Sequence, residues 1–428
     1  MTETMTPRRG ARSTLHARRS LCAALALALA PLAACSLDVT NPNSPTQEAV
    51  TTTPDGLRAL AIGMQGRFGN SLEHAVWVPG IVSGELGNTN ASQSTSREFQ
   101  KYPIASANAP RIEPTNPDLL AFWSRQFQVI RAANDVLGSA DNVQLAPGTK
   151  SGITALAKTL KAIAYGTLAD AWQSVPLDPS AANPTYSDRA AVLTEVLSLL
   201  ASARADLQAT PMSSEFTAQV LVPGIDLPNT IRAMQARYSL AAGKYADALA
   251  FANEVPPTAA SQFRYSSVDP NPVWAVVNSL KYFSAIATYR TNAEAGDARV
   301  TRNVGTAVTT PFGGAQVLPI NLYTTQTDPI PLFTQDELTL IRAEAYARTN
   351  QLPQAIAEIN KVRQAAGLPP KDATSLPTQQ AVLDEIYRQR TYSLFLTGQH
   401  WADERRFGRL SEARTDWLPL PAQETVGG

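Results

Sequence analysis

Residues 335–367 read QDELTLIRAEAYARTNQLPQAIAEINKVRQAAG and predict two antiparallel helices joined by a tight turn. Apolar residues recur every three or four positions in both halves, which is the spacing of one face of an α-helix. Thr334 and Glu337 occupy capping-box positions at the start, Asn350 lies in the break, and Gly367 precedes two closely spaced prolines. A single tetratricopeptide-like hairpin of this kind leaves an apolar face uncovered, so the chain must supply neighbouring hairpins.

The same apolar spacing recurs along the chain and predicts a mainly α-helical protein. Further helices are expected over residues 56–68, 120–137, 153–172, 187–207, 230–255 and 380–397. Two long segments interrupt them: residues 70–117, expected to be mostly loop, and residues 256–333, expected to be an irregular insert with a short β-hairpin. The predicted fold is a scaffold of tetratricopeptide-like helical hairpins with long irregular loop insertions and little β-structure.

The charge balance argues against a nucleic-acid-binding protein. The 428 residues contain 36 lysines plus arginines and 36 aspartates plus glutamates, and no basic stripe is visible. Five of the arginines precede Cys35, so the chain beyond that residue has an acidic excess. Such a chain lacks the electrostatic footprint that a nucleic acid requires.

The first 34 residues have the organisation of a bacterial lipoprotein signal peptide. Arginines precede an apolar run that is too short for a permanent membrane span, and the run ends in Leu32, Ala33, Ala34 and Cys35. This box predicts cleavage before Cys35 and lipidation of that residue, which would anchor a folded body to a membrane. An ordinary secretory signal with a chance cysteine is the alternative. Residues 35–54, rich in Asn, Pro and Thr, are expected to form a tether, and residues 55–428 a single domain.

The cysteine and histidine content argues against disulfides and metal sites. Cys22 lies in the segment expected to be removed and Cys35 would carry lipid, so the mature chain has no free thiol. His74 and His400 are the only histidines beyond the signal peptide, too few for a zinc site. We therefore expect no metal and no cofactor. Carboxylates are plentiful, but nothing in the sequence places two of them together as a glycosidase requires.

A series of short motifs resembles the SusD/RagB-like outer-membrane nutrient-binding lipoproteins. The motifs occur in the family's order over almost the whole chain beyond Cys35: RAANDVL at 131–137, VPL at 175–177, the hairpin pattern within 233–255, GDAR at 296–299, IRAEA at 341–345, INKVR at 359–363, and the segment 385–408. The chain departs from the family pattern at Ala298, where proline is usual, and at His400, where arginine is usual.

The resemblance implies a SusD-like α-superhelical fold and a role in nutrient capture. It implies a lipid-anchored protein of the outer membrane, at the cell surface, that binds an oligosaccharide or a peptide without catalysing a reaction. The ligand would pass to a partner TonB-dependent transporter of the SusC type, with the helical hairpins facing the transporter and the irregular loops building the ligand site. A scaffold that only assembles other proteins and an anchored glycosidase are the alternatives.

Aromatic and polar side chains in the two irregular segments are the candidate ligand-binding residues. A flat ring packs against the C–H face of a sugar, and amides bond its hydroxyl groups. The candidates are Trp77, Glu85, Asn88 and Asn90 from the first segment, and Trp274, Tyr282 and Tyr323 from the insert. Packing within the core or a loop is the other interpretation of each.

Two further groups of residues are expected to be structural. Trp123 and Trp172 lie on the apolar faces of predicted helices, so we expect them in the core. Charged residues of the C-terminal part are expected to pair across helix faces, where they would join neighbouring hairpins. They are Glu344, Arg363, Glu385, Arg390, Asp403, Arg405 and Arg406.

Overall fold

The computed structural model describes Thr2 and residues 51–89, 95–101, 111–181, 183–311, 315–410 and 414–425. Within these ranges it contains fifteen α-helices and seven short strands, so the expected mainly α-helical fold is confirmed. None of the helices in these ranges combines the length and the apolar character needed to cross a bilayer. The predicted signal peptide, Cys35 and Asn90 lie outside the described residues.

Four long helices follow one another as antiparallel neighbours in the first half of the chain. They are α1 (Pro54–Ser83), α2 (Pro117–Ala140), α3 (Pro147–Ala171) and α4 (Arg189–Ala209). Side chains cap three of their N-termini: Thr53 accepts from the Gly56 N–H, Asn116 from those of Asp118 and Leu119, and Asp188 from that of Ala191. These caps satisfy backbone donors that have no partner within the helix, so each helix begins at a defined residue.

The first helix is much longer than the sequence predicts, and residues 70–83 are helix rather than loop. Every residue from 76 to 83 is buried, so this half of α1 lacks the polar face by which an amphipathic helix is recognised. Pro79 lies within it and has no N–H, which leaves the carbonyl of Ala75 without its helical partner. Gly398, with φ 77°, packs on that carbonyl, because a Cβ at position 398 would lie 2.1 Å from Ala75 O.

Three shorter helices continue the helical part. They are α5 (Ser214–Gln219), which was not predicted, α6 (Leu227–Ala241) and α7 (Tyr245–Glu254). The helical segment predicted over 230–255 forms two helices, as its resemblance to a hairpin implies, and the turn between them contains Gly243 with φ 73°. Glycine adopts this left-handed backbone without the Cβ penalty, which explains the sharp reversal.

The seven strands form small antiparallel pairings rather than one sheet. They are β1 (Leu86–Asn88), β2 (Ser174–Pro176), β3 (Tyr186–Asp188), β4 (Ser261–Phe263), β5 (Phe283–Ile286), β6 (Val317–Leu318) and β7 (Ile330–Phe333). Their pairing is β1-β5-β6, β2-β3 and β4-β7. The expected hairpin in the insert corresponds to the Thr309↔Val317 bridge next to β6, and its expected turn at 312–314 lies outside the described residues.

The insert also holds short helical turns. They are α8 (Pro272–Trp274), a π-helix (Ala275–Ser279), α9 (Thr288–Thr291) and α10 (Ala298–Asn303). Their brevity and the strands between them match the irregular character expected of residues 256–333.

The hairpin at 335–367 forms as predicted, from α11 (Gln335–Arg348) and α12 (Leu352–Ala365). The Thr334 hydroxyl accepts from the Glu337 N–H at 3.1 Å, and Asn350 in the break has φ 59°. Three helices follow: α13 (Gln379–Ser393), α14 (His400–Arg406) and α15 (Ala422–Thr425). α11, α12 and α13 share a small apolar core of their own, which covers the face that one hairpin leaves open.

Ion pairs join the C-terminal helices, as the sequence predicts. Arg390 Nε lies 2.7 Å from Asp403 Oδ2, while Arg406 lies 2.8 Å from both Asp403 and Glu344. Arg363 in turn lies 2.7 Å from Glu385 on α13 and 2.7 Å from Glu294 in the insert. Arg406 and Glu294 are half-buried and the other five residues are buried, so removing one partner would leave an uncompensated charge.

Arg405 differs from the other charged residues of this group. Its guanidinium donates to the backbone carbonyls of Asp170 at 3.0 Å and Asp416 at 2.6 Å, and stacks over the Trp417 ring at 3.7 Å. Within the described residues it forms no ion pair. It therefore joins α14 to α3 and to the closing segment through carbonyls and a ring.

The closing segment lies back on the first helices. Leu418 N–H donates to Ala171 O at 3.0 Å, Trp172 Nε1 donates to Pro419 O at 2.9 Å, and Ala422 N–H donates to Pro114 O at 2.8 Å. Trp123 and Trp172 are both buried with their ring centroids 5.0 Å apart, so their expected core position is confirmed. The described residues from 51 onward form one compact unit.

Candidate functional site

Trp77 lies in the core on α1 and not on a loop surface. Its side chain is 2% exposed, and its ring stacks on Phe283 of β5 with centroids 4.6 Å apart and planes 15° apart. Phe99 meets the same ring edge-on at 5.8 Å. The indole thus packs α1 against the β1-β5-β6 sheet. Aromatic contacts of this kind stabilise the fold by more than the burial of apolar area alone.

Asn88 is also buried and holds the chain that follows β1. Its Nδ2 donates to the Ser96 hydroxyl at 2.6 Å, and the next residue, Thr89, donates its N–H to Tyr282 O at 2.8 Å. Asn88 therefore shapes the segment that leads to Asn90, which lies outside the described residues.

Glu85 is a buried carboxyl group with one satisfied oxygen. Oε1 accepts from the Leu396 N–H at 3.2 Å, while Oε2 has no hydrogen-bond partner among the described residues. Burial raises the pKa of Glu85 to about 8, and the nearby Asp403 carboxylate adds to this effect against the opposing Leu396 hydrogen bond. Its surroundings favour the protonated form near neutral pH, and its burial agrees with the packing interpretation of this candidate.

The insert candidates Trp274, Tyr282 and Tyr323 are half-buried and lie around the π-helix. Trp274 ends α8 where the π-helix begins, and Tyr282 N–H donates to Val276 O at 2.7 Å. Asn278 Nδ2 donates to the carbonyls of Leu322 at 2.7 Å and Tyr323 at 2.8 Å. The structure thus connects the backbones of all three candidates through one turn of π-helix, a geometry that is frequent at functional sites.

An open groove of about 360 Å³ begins at Tyr323. We call it the Tyr323 groove; its walls are the end of α10, the start of α11 and the chain after α13, represented by Arg302, Asp336 and Phe395. A smaller internal cavity of about 100 Å³ shares Tyr323 and Pro331 with it, so Tyr323 lies between surface and interior. Tyr323 has φ 52°, a left-handed conformation that is uncommon for a residue with a side chain.

Polar groups in the Tyr323 groove keep unused hydrogen-bonding capacity. Asp336 Oδ2 accepts from the Ser393 hydroxyl at 2.7 Å, and that hydroxyl accepts from Arg299 at 2.9 Å, so the carboxylate is held in place. Arg302 Nε donates to Asn303 Oδ1 at 3.0 Å, and within the described residues Arg302 has no ion pair. Asp336 Oδ1 and the Arg302 terminal nitrogens therefore face no protein partner in the described part of the chain.

The Tyr323 groove has a small set of charged lining residues in the described part of the chain. Asp336 is the one carboxylate among its described lining residues, whereas glycoside hydrolysis uses a pair. In the described ranges, no three His, Cys, Asp or Glu side chains gather as a metal site would require.

Three residues of the Tyr323 groove were missed by sequence reasoning. Arg302, Asp336 and Phe395 lie in helices or directly after one, and the sequence carries no signal that relates them to Tyr323. These residues come together only in the folded chain, where the end of α10, the start of α11 and the segment after α13 lie next to one another.

The C-terminal segment and the fold have known counterparts. Residues 320–425 match a family model described as the SusD family. A SusD superfamily protein from Bacteroides vulgatus superposes with a TM-score of 0.67 at 14% identity, covering 87% of this chain and 97% of that chain. No curated protein matches the sequence.

Two further solved structures are similar in fold. A SusD-like carbohydrate binding protein from Bacteroides vulgatus has a TM-score of 0.64 at 17% identity, covering 82% of this chain and 83% of that chain. Surface glycan-binding protein A from Bacteroides thetaiotaomicron has a TM-score of 0.66 at 13% identity, covering 88% of this chain and 97% of that chain. The C-terminal quarter of the chain therefore matches the SusD family model, and the fold over most of its length is similar to that of SusD superfamily structures.

Proposed function

We propose that this protein is an outer-membrane lipoprotein that captures an oligosaccharide and delivers it, chemically unchanged, to a partner TonB-dependent transporter of the SusC type. The observation that carries the binding step is the Tyr323 groove, which is lined by an aromatic residue, a fixed carboxylate and a guanidinium that forms no ion pair within the described residues. The names of two relatives of the same fold, a carbohydrate binding protein and a surface glycan-binding protein, support this ligand class.

The groove chemistry suits a sugar. A tyrosine ring covers the apolar face of a pyranose, while Asp336 Oδ1 accepts from one hydroxyl and Arg302 donates to its neighbours. The groove volume of about 360 Å³ falls in the range of small-molecule sites, roughly 300 to 1,000 Å³. A peptide is the second ligand class, and the binding experiment below includes it.

The candidate residues take different roles in this proposal. Tyr323 contacts the ligand, and the half-exposed rings of Trp274 and Tyr282 extend the surface along the insert. Trp77, Glu85 and Asn88 are buried and support the segment from which Asn90 follows. Asn90 stays a predicted contact residue.

The membrane part of the proposal rests on the sequence. The box before Cys35 supports lipidation of that cysteine and transfer to the outer membrane, where two or three acyl chains would hold the protein. The acidic excess beyond Cys35 and the absence of a basic stripe support a role that involves no nucleic acid.

Calorimetric titration of the full chain in detergent tests the binding step. The probes are maltohexaose, cellohexaose, xylohexaose and a mixture of tetrapeptides. We expect one hexasaccharide to bind, and Tyr323→Ala to weaken its binding about tenfold, because a stacked ring contributes on the order of 1 kcal/mol or more. Tyr346→Ala, at a half-buried tyrosine on α11 outside the groove, is the matched control and should bind like the parent.

Three results would contradict this proposal. Equal binding by the parent and Tyr323→Ala would remove the groove from the ligand site. Cleavage of the bound hexasaccharide would favour the anchored glycosidase. A chain that binds none of the probes and co-purifies from membranes with soluble partners, but with no transporter, would favour the assembly scaffold.

A further inference from the structure

A second groove, of about 560 Å³, lies between α2 and the loop that joins β2 to β3. We call it the α2 groove. One wall is a stripe of α2 at helical spacing: Ser124, Phe127, Gln128, Arg131, Asn134 and Asp135. Pro179 and Ser180 belong to the opposite wall, and Glu424 of α15 reaches it from the closing segment. None of the residues that line the Tyr323 groove takes part.

The carboxylate of Glu424 is fixed by two neutral donors. Trp123 Nε1 donates to Oε1 at 3.1 Å, and the Tyr186 hydroxyl donates to Oε2 at 2.8 Å. A carboxylate oxygen accepts more than one hydrogen bond, so each retains capacity for a ligand. The group is thus an acceptor of fixed orientation that has no cationic partner in the part of the chain that the structure describes.

An aromatic surface lies next to this acceptor. The rings of Trp123 and Phe127 have centroids 4.8 Å apart; Trp123 is buried, whereas Phe127 is half-buried. Phe127 therefore presents part of its ring to the α2 groove, supported from beneath by the indole. Aromatic rings held in this way give contact area without a large loss of side-chain freedom on binding.

Three polar side chains of the same α2 stripe have no partner among the residues that the structure describes. Arg131, Asn134 and Asp135 are exposed, and within the described residues their side chains form no hydrogen bond or ion pair. Six residues before Arg131 on the same helix, Arg125 is paired with Glu73 at 2.6 Å. The difference leaves a guanidinium and an amide available on the groove side of α2.

The opposite wall is preformed. Asp178 Oδ1 accepts from the Ser180 N–H at 3.2 Å and from its hydroxyl at 2.6 Å, which folds the loop on itself. The Tyr165 hydroxyl donates to Leu177 O at 2.9 Å and fixes the loop base to α3. A wall of this kind requires little ordering when a ligand enters, which favours binding.

We propose that the α2 groove is a second saccharide site, which takes one or two pyranose units of a neutral glycan. Phe127 covers the apolar face of the sugar, Glu424 accepts from two hydroxyls, and Arg131 and Asn134 donate to others. Two carboxylates, Asp135 and Glu424, against one guanidinium make the groove net acidic, so uronic acids and sulfated sugars are repelled. The inference takes its ligand class from the proposed function, but it uses different residues.

A fluorine label gives a local test. The chain has six tryptophans, so the full chain labelled with 5-fluorotryptophan should show six resonances, and Trp123→Phe identifies the one from Trp123. Addition of the hexasaccharide that binds best should shift the Trp123 resonance, because its Nε1 bonds the carboxylate that meets the sugar. An unshifted Trp123 resonance at saturating maltohexaose, cellohexaose and xylohexaose would overturn the proposal.

Variants then separate the two sites by affinity. We expect two binding events per chain for the parent, and Phe127→Ala, Arg131→Ala and Tyr323→Ala each to weaken one of the two about tenfold while leaving the other unchanged. Phe251→Ala, at a half-buried phenylalanine on α7 outside both grooves, controls for loss of a ring and should keep two. Thermal unfolding of every variant confirms that it is folded.

The outcomes distinguish failure of each proposal. If Phe127→Ala and Arg131→Ala titrate like the parent, the α2 groove is not a site, whatever Tyr323→Ala does. If one hexasaccharide binds, is lost in Phe127→Ala and is kept in Tyr323→Ala, the α2 groove is a site and the Tyr323 groove is not. If heparin-derived hexasaccharides bind there instead, the inferred charge preference is wrong and the neutral-glycan proposal falls.

Discussion

Glu85 is the residue at which burial and charge conflict most clearly. Its carboxyl group has one hydrogen bond, from Leu396, and an oxygen without a partner among the described residues. Because burial raises its pKa from 4.5 to about 8, the folded chain keeps a proton that the unfolded chain releases. The stabilising contribution is fully present below pH 4.5 and is lost as the pH rises toward 8.

Replacing Glu85 by glutamine should remove this pH dependence. Glu85→Gln retains an oxygen for the Leu396 N–H and cannot ionise, so it should be more stable than the parent at pH 8.5, by roughly 4 kcal/mol. At pH 4.5 the two chains should be nearly equal. The measurement is the free energy of unfolding from urea titrations at pH 4.5, 6.5 and 8.5.

Glu195→Gln is the control for this prediction. It removes one carboxylate from α4 at a half-buried position that has no hydrogen bond or ion pair with the described residues. We expect it to follow the parent at all three pH values. A Glu85→Gln chain that loses stability with the same slope as the parent would show that Glu85 is not the group responsible.

Residue type in the sequence selects candidate residues but does not show which way their side chains face. Trp77 and Asn88 have the chemistry of a sugar site, but α1 and β1 turn them inward, onto Phe283 and Ser96. Local sequence cannot show which face of a segment a distant strand will cover. Tyr323 is a candidate because it is an aromatic residue in a segment without regular secondary structure. The groove beside it is formed by chain segments that are far apart in sequence, so no local sequence pattern predicts it.

At the scale of elements, a glycine on α3 marks the close contact between α3 and α6. A Cβ on Gly166 of α3 would lie 2.2 Å from ring atoms of Tyr238 on α6, whereas a Cβ on Gly138 of α2 would meet nothing within 4 Å. Both glycines are within helices, so the backbone cost of each is similar. Their comparison isolates the packing between α3 and α6.

Alanine at these two positions should have opposite effects. Gly166→Ala should lower the free energy of unfolding by about 1 to 3 kcal/mol, because an overpacked contact forces Tyr238 or the helices apart. Gly138→Ala should raise it by about 0.5 to 1 kcal/mol, since alanine favours a helix. Urea unfolding of both variants under one set of conditions is the measurement, and shifts of equal sign and size would contradict this account of the contact.

The sequence predicts a helix well where the helix is amphipathic, with one polar and one apolar face. The hairpin α11–α12 was predicted almost to its ends because caps, a left-handed Asn350 and periodic apolar residues all agree. The prediction was wrong for the second half of α1, where burial on all sides removes the period and Pro79 is a usual sign of an end. Tertiary packing keeps residues 70–83 helical against these local signals.

At the scale of the molecule, the closing segment connects the end of the chain to its first helices. Hydrogen bonds from Leu418, Trp172 and Ala422 join residues that are far apart in sequence, and Glu424 bonds Trp123 and Tyr186. Contacts of this span make the unfolding of distant parts interdependent. The segment also forms part of the α2 groove.

Removing residues 415–428 should therefore destabilise the whole molecule. We expect the free energy of unfolding to fall by at least about 3 kcal/mol, given the lost hydrogen bonds and the exposure of Trp172. Differential scanning calorimetry should show one transition at a lower Tm for the shortened chain. Gln423→Ala, at an exposed position of α15, is the control and should melt like the parent; an unchanged Tm after the deletion would contradict the prediction.

The contact between Gly398 and the carbonyl of Ala75 also has a consequence for how this chain tolerates change. Pro79 releases that carbonyl from the helix, and Gly398 occupies the space beside it. A residue with an N–H at position 79 would draw the carbonyl back into the helix and alter the room left for position 398. The two positions should therefore be epistatic: the changes in the free energy of unfolding caused by Pro79→Ala and Gly398→Ala will not add. A redesign of this chain must therefore choose the residues at positions 79 and 398 together.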